Sequence, residues 1–331
     1  MIQSVNFPLS DACAAPYGGW EAISKALSGM GLQGVEGIWA LEDVPKDFPP
    51  SLLTGYHLTF YHDWLDLWRG DTASLLRRFG SMETVSRIYG GTRPEDLLAF
   101  YRTDLRRALE LGAKYLVFHV SDVSLEEGYT YARRHTDREV CLAAAELARL
   151  LLRDVPDGTD FLLENQWWPG FTFTDPHETQ ALFEAVDDPR AGILLDVGHL
   201  MNTNPSLRTQ KDGVRYVLEM MERHGSLAGL IRGMHLHQSL SGRYVRRTVG
   251  EVPADFPRDY FEAFSYSYGH IERIDRHRPW TDPGCAGIVE RAAPRYLTHE
   301  LKSTPRGDQL AMTRLQLSAL RRGRNAVPSG D

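Results

Sequence analysis

Of 331 residues only three are cysteines, Cys13, Cys141 and Cys285, far apart and odd in number. That excludes a disulfide framework and any four-cysteine zinc site, and it suits a reducing compartment. No run of 18 apolar residues occurs, which leaves no transmembrane helix to expect. The first residues, MIQSVNFPLSDACAAP, lack a basic stretch followed by an apolar one, so no secretory signal is read there and a cytoplasmic location is expected. Basic charge is also scarce: 37 Lys and Arg against 44 Asp and Glu give a net charge of −7. Such a balance disfavours a polyanionic partner, although Arg243, Arg246 and Arg247 form one local basic cluster. With 42% hydrophobic and 24% charged residues, the composition is that of a folded globular chain.

What is present is an alternation. Short apolar runs occupy Ile2–Phe7, Gly34–Trp39, Tyr56–Tyr61, Lys114–Phe118, Asp160–Leu163, Ala191–Leu195, Gly229–Leu236 and Arg295–Leu301. Most are apolar at consecutive positions, as expected of strands covered on both faces. Helix signals lie between them. Pro94 opens a helical spacing of Leu97, Tyr101, Leu105 and Leu109 that ends before Gly112. Thr136 and Glu139 form a capping-box pair, Asp175–Pro176 opens another helix, and Thr304–Pro305 opens the last. Eight strands alternating with helices predict an α/β fold, a closed (β/α)8 TIM barrel; an open doubly wound sheet is the alternative. The barrel is expected to be a single domain over residues 1–320, with an insertion at 238–294 between strands 7 and 8 and a disordered tail at 321–331. The insertion carries Tyr260, Phe261, Phe264, Tyr266 and Tyr268 and reads either as a lid or as an oligomer contact.

Polar residues recur where the apolar runs end: His62, His119, Glu164, Asp196 with His199, His235 with His237, and Glu300. In a parallel barrel those ends meet at one rim. Three carboxylates buried together raise one another's pKa unless a cation compensates them, so the pattern calls for a divalent metal. A mixed oxygen and nitrogen set without thiolate suits Mn, Co, Zn, Fe or Mg.

The segments YHDWL (61–65), VFHVS (117–121), LLEN (162–165), LLDVGH (194–199), MHLHQS (234–239) and LTHEL (297–301) resemble the xylose isomerase-like TIM-barrel superfamily, which includes sugar isomerases, epimerases and the second family of apurinic-site endonucleases. The resemblance implies one metal held by Glu164, Asp196, His235 and Glu300. Gln238 departs from it by standing where an acid is usual. The endonuclease branch implies further metals: His62 and His119 with bridging Glu164 for one, and His199 with Asp275 and His277 of the IDRHRP segment (274–279) for another. Asp275 lies farther from His235 than that branch's pattern places it.

Several functions follow from the resemblance. In a sugar or polyol isomerase or epimerase, Glu164 and Glu300 would exchange a substrate proton through an enediolate. His199, His237, Asn165, Trp167, Trp168 and Lys302 would then contact a carbohydrate-like substrate. In a phosphodiesterase resembling apurinic-site endonucleases, two or three metals would assist an in-line displacement. A lyase or oxygenase, and a non-enzymatic carbohydrate-binding barrel, remain as further readings. Nucleic acid is disfavoured by charge, no membrane partner is expected, and a homo-oligomer is compatible with the insertion.

Overall fold

The computed structural model describes residues 1–40, 42–60, 63–302 and 309–326. Eight parallel strands close into a barrel in sequence order: β1 (Ile2–Pro8), β2 (Gly34–Ile38), β3 (Leu53–His57), β4 (Tyr115–His119), β5 (Asp160–Glu164), β6 (Ala191–Asp196), β7 (Ile231–His235) and β8 (Tyr296–His299). The TIM barrel expected from the alternation is therefore the fold. Closure leaves no unpaired edge, because β1 pairs with both β2 and β8.

Two apolar layers hold it. Inside the barrel, Tyr115, Val117, Leu162, Leu194 and Tyr296 pack together, while a larger cluster fills the space between strands and helices. At the amino-terminal end of the barrel Asp160 accepts hydrogen bonds from Arg232 (2.9 Å), Arg295 (2.6 Å) and the Tyr296 hydroxyl (2.9 Å). That end joins β5, β7 and β8 and leaves the opposite rim for chemistry.

The helix signals resolve as read. One helix runs Pro94–Glu110, and Thr136 caps Asp137–Leu152 through a reciprocal bond pair with Glu139. Asp175 accepts from His177 N (2.9 Å) at the start of Pro176–Val186. The Thr304–Pro305 signal lies outside the described residues. The final helix, Gln309–Ala326, extends into the stretch expected to be disordered from Arg321 onward; there Arg322 donates to Thr281 O and Ser318 Oγ. Disorder is thus corrected as far as Ala326. Between β7 and β8 the chain folds as three helices, Gly242–Thr248, Tyr260–Ile274 and Cys285–Ala292. The first two are fastened to the rim through Val245 and Ile274, which cluster with Val123, Trp167 and Trp168.

Strand β3 ends at His57, four residues before the end of the apolar run Tyr56–Tyr61. The run misleads because Leu58, beyond the strand, is itself buried. Gly55 of β3 makes room for the Tyr115 ring: a Cβ there would sit 2.1 Å from Tyr115 Cζ. Tyr115 is buried, stacked on Tyr296 at 4.2 Å, and donates to Glu36 at 2.7 Å, so it has nowhere to retreat. Gly55→Ala is expected to destabilise the protein by about 1–3 kcal/mol, read as a lowered urea midpoint; an unchanged midpoint would contradict this packing.

Candidate metal centre

Strand register sets the ligands side by side. His119 is the pairing partner of Glu164 across β4–β5, and Asp196 that of His235 across β6–β7. The short helix Val197–Asn202 follows β6 directly, capped by Asp196, whose Oδ1 accepts from His199 N at 2.6 Å. That turn lifts the His199 ring over the barrel mouth. The helix Tyr260–Ile274 ends immediately before Asp275, so the insertion delivers Asp275 and His277 to the same place.

Among the described residues, three groups of ligand atoms each lie within 4.8 Å of one another: His57, His119 and Glu164; Glu164, Asp196, His235 and Glu300; and His199, His237, Asp275 and His277. Glu164 belongs to two of them. Its Oε2 lies 2.8 Å from His119 Nε2 and 3.2 Å from His57 Nε2. Its Oε1 lies 3.3 Å from both His235 Nδ1 and His199 Nδ1. Glu300 Oε2 stands 3.2 Å from His235 Nδ1 and 3.5 Å from His277 Nε2. Asp275 Oδ2 is 3.3 Å from His199 Nε2 and 3.1 Å from His277 Nε2.

The donor set fits cations. Glu164 Oε1, Glu300 Oε2, His235 Nδ1 and His277 Nε2 are buried and make no hydrogen bond. Orphaned lone pairs of both kinds, converging in one place, are what a divalent ion would satisfy. Outer contacts already aim several rings. His57 Nδ1 lies 2.9 Å from the Leu58 carbonyl, which calls for the proton on Nδ1 and turns Nε2 toward Glu164. His235 Nε2 is 2.9 Å from Glu36 Oε1, so its Nδ1 faces the groups.

Electrostatics of the bare cluster follow the same geometry. Burial pushes the Glu164 carboxyl up, but His119 and His235 outweigh it and hold the group well below the usual carboxylate range. Burial likewise opposes charge on His235, yet Glu36, Glu300 and Glu164 raise its pKa well above normal. His277 rises to about 9 against its own burial because Asp275 and Glu300 face it. His119 goes the other way: burial holds its pKa below normal although Glu164 faces it.

The residues expected from sequence fall into place unevenly. Glu164, Asp196, His235, Glu300, His119, His199, Asp275 and His277 all converge. His62 lies outside the described residues; among those described, β3 supplies His57. His237, expected at the substrate, is fully buried with Nε2 3.0 Å from Asp196 Oδ2; it closes the third group. Asn165 is also fully buried and braces β6, donating to Asp196 O (3.0 Å) and accepting from Asp196 N (2.8 Å). Trp167, Trp168 and Lys302 line the cavity above the groups. Sequence reasoning does not find Glu36: it accepts from the Tyr115 hydroxyl (2.7 Å) and from Thr298 Oγ1 (3.0 Å) beneath His235. An acid inside the buried run Gly34–Ile38 is its only signal.

A family model described as xylose isomerase-like TIM barrel matches residues 25–290. The chain belongs to that family. Among solved structures with this fold, endonuclease IV from Thermus thermophilus is 14% identical, with a TM-score of 0.52 over 97% of this chain and 100% of that one. An L-ribulose 3-epimerase is 10% identical, with a TM-score of 0.51 over the whole of both chains. At such identities the likeness is one of fold. A comparison with curated proteins found no match. Among the described residues no helix is long and apolar enough to cross a membrane.

Two substitutions separate the groups. A Cβ at Gly198 would fall 1.9 Å from His237 Cε1, so Gly198→Ala should displace that ring and lower metal content only at the third group. Glu164→Gln removes the carboxylate common to two groups and should lose more metal than Gly198→Ala. Elemental analysis of protein purified without chelator checks both; equal losses would contradict a bridging Glu164.

Proposed function

We propose that this barrel is a metal-dependent phosphodiesterase acting on a small molecule. The observation that carries the reading is the sharing of Glu164: two ligand groups meet on one carboxylate, and a third adjoins them through His199. In the isomerase reading Glu164 and Glu300 would serve both as ligands of one cation and as proton carriers. Here the two Glu164 oxygens face imidazoles of different groups, an arrangement suited to more than one cation. When bound, divalent ions at such groups would supply Lewis-acid charge for a phosphoryl group and acidify water.

The chain's own residues divide the remaining work. Glu164, Asp196 and His235 lie at the floor, fully buried, where neighbouring imidazoles favour the ionised carboxylates against the cost of burial. His57, His119, His199, Asp275, His277 and Glu300 line the cavity, so they meet the substrate side. Glu300 also lines that space, so its carboxylate would stand beside a water held at the second group and help to orient it. The cavity is about 270 Å³, with the insertion helix Tyr260–Ile274 over part of it. A net charge of −7 gives little support to duplex binding, which rests on many phosphate-neutralising basic contacts.

Protein loaded with Zn or Mn should carry more than one metal per chain and cleave bis(p-nitrophenyl) phosphate, with activity abolished by a chelator and restored by metal. One tightly held metal per chain, together with solvent-proton exchange into ketoses and no phosphodiester cleavage, would reverse the reading in favour of the isomerase.

A further inference from the structure

The cavity has two unlike halves. Its inner half is the cluster of imidazoles and carboxylates. Aromatic rings begin where those imidazoles end: Phe60 stacks on His119 with centroids 4.5 Å apart and planes at 20°, and Trp167 abuts His199 at 5.0 Å. Trp168 continues the wall at 4.9 Å from Trp167. Across from it the helix Tyr260–Ile274 turns Phe264, Tyr268 and Ile271 to the cavity, positions that share one helical face. Tyr268 is 54% exposed and Phe264 39%, although both are large rings at a cavity mouth.

We propose that this outer half binds a flat aromatic ring carried by the substrate, making the substrate a singly charged phosphodiester with a nucleobase-like heterocycle on one ester arm. The inference rests on the phosphodiesterase reading and names its substrate class. Part of that wall, Val123, Leu125 and Ile271, offers sugar hydroxyls no hydrogen-bond partner, although Ser124 and Ser267 also line the cavity. A planar ring gains from the same wall, since stacking on tryptophan or tyrosine is sequence-tolerant and strong. Charge is limited as well. Lys302 is the sole Lys or Arg among the described lining residues, and it is taken: it pairs with Glu272 and donates to the Tyr268 hydroxyl at 2.6 Å. A second negative charge on the substrate's outer arm would find no free cationic side chain.

The test holds the leaving group constant. Metal-loaded protein is given thymidine 5′-(p-nitrophenyl phosphate) and methyl p-nitrophenyl phosphate, and thymidine 5′-monophosphate and ribose 5-phosphate are compared as quenchers of tryptophan fluorescence. The expected result is kcat/KM at least tenfold higher for the thymidine ester, with quenching by the thymidine nucleotide at lower concentration. Trp168→Ala should shrink the ratio to within about twofold. So should Tyr268→Ala, which alters an exposed side chain and leaves the Lys302–Glu272 pair to hold the helix; Tyr268→Phe should keep the ratio. Equal cleavage of the two diesters, or a loss in Tyr268→Phe matching that in Tyr268→Ala, overturns the aromatic site and leaves the phosphodiesterase reading standing. Cleavage of neither diester by metal-loaded protein overturns both.

Discussion

Everything at the carboxyl-terminal rim depends on the Glu164 carboxylate, a buried anion with imidazoles against both of its oxygens. An ionised group in that position is costly unless positive charge surrounds it. Asp196 and Glu300 sharpen the demand, because they bring two more carboxylates to the same imidazole, His235. Raised pKa values at His235 and His277 answer part of it, and cations would answer it better because each satisfies several lone pairs at once. The groups are therefore complementary to charge before any substrate arrives, which is the preorganisation that stabilising a phosphoryl transition state requires.

The barrel makes this arrangement achievable. Parallel strands in sequence order bring residues more than 230 positions apart to one rim, and the register of neighbouring strands decides which ligands touch. The opposite end, held by Asp160 with Arg232 and Arg295, carries the closure instead. The insertion completes the centre from outside: Asp275 and His277 follow directly on the helix that covers the cavity, so metal ligation and the upper wall are parts of one segment. Lys302, from the end of β8, ties that helix to the barrel through Glu272 and Tyr268.

Much of this is legible in the sequence, because runs of buried β residues have visible ends. LLEN and LLDVGH place Glu164 and Asp196 where strands stop, and the structure puts both there. The same rule does not find His57, since the apolar run Tyr56–Tyr61 continues past the hydrogen-bonded strand; burial of Leu58 in the loop is indistinguishable, in sequence, from burial in a strand. Glu36 escapes notice for the opposite reason. It sits within a strand, not at its end, and its partners Tyr115, Thr298 and His235 come from three other strands. His237 shows a third limit. Alternation puts it on the face of His235, but the chain leaves β7 at His235, and the ring turns to Asp196 through space left by Gly198.

Anomalous X-ray diffraction at a metal absorption edge, on crystals grown with Zn or Mn, addresses the central claim directly. The account expects separate peaks on the two sides of the Glu164 carboxylate, one bounded by His57 and His119 and the other by Asp196, His235 and Glu300, with a further peak among His199, His237, Asp275 and His277. A single peak that leaves one Glu164 oxygen without a cation would contradict it.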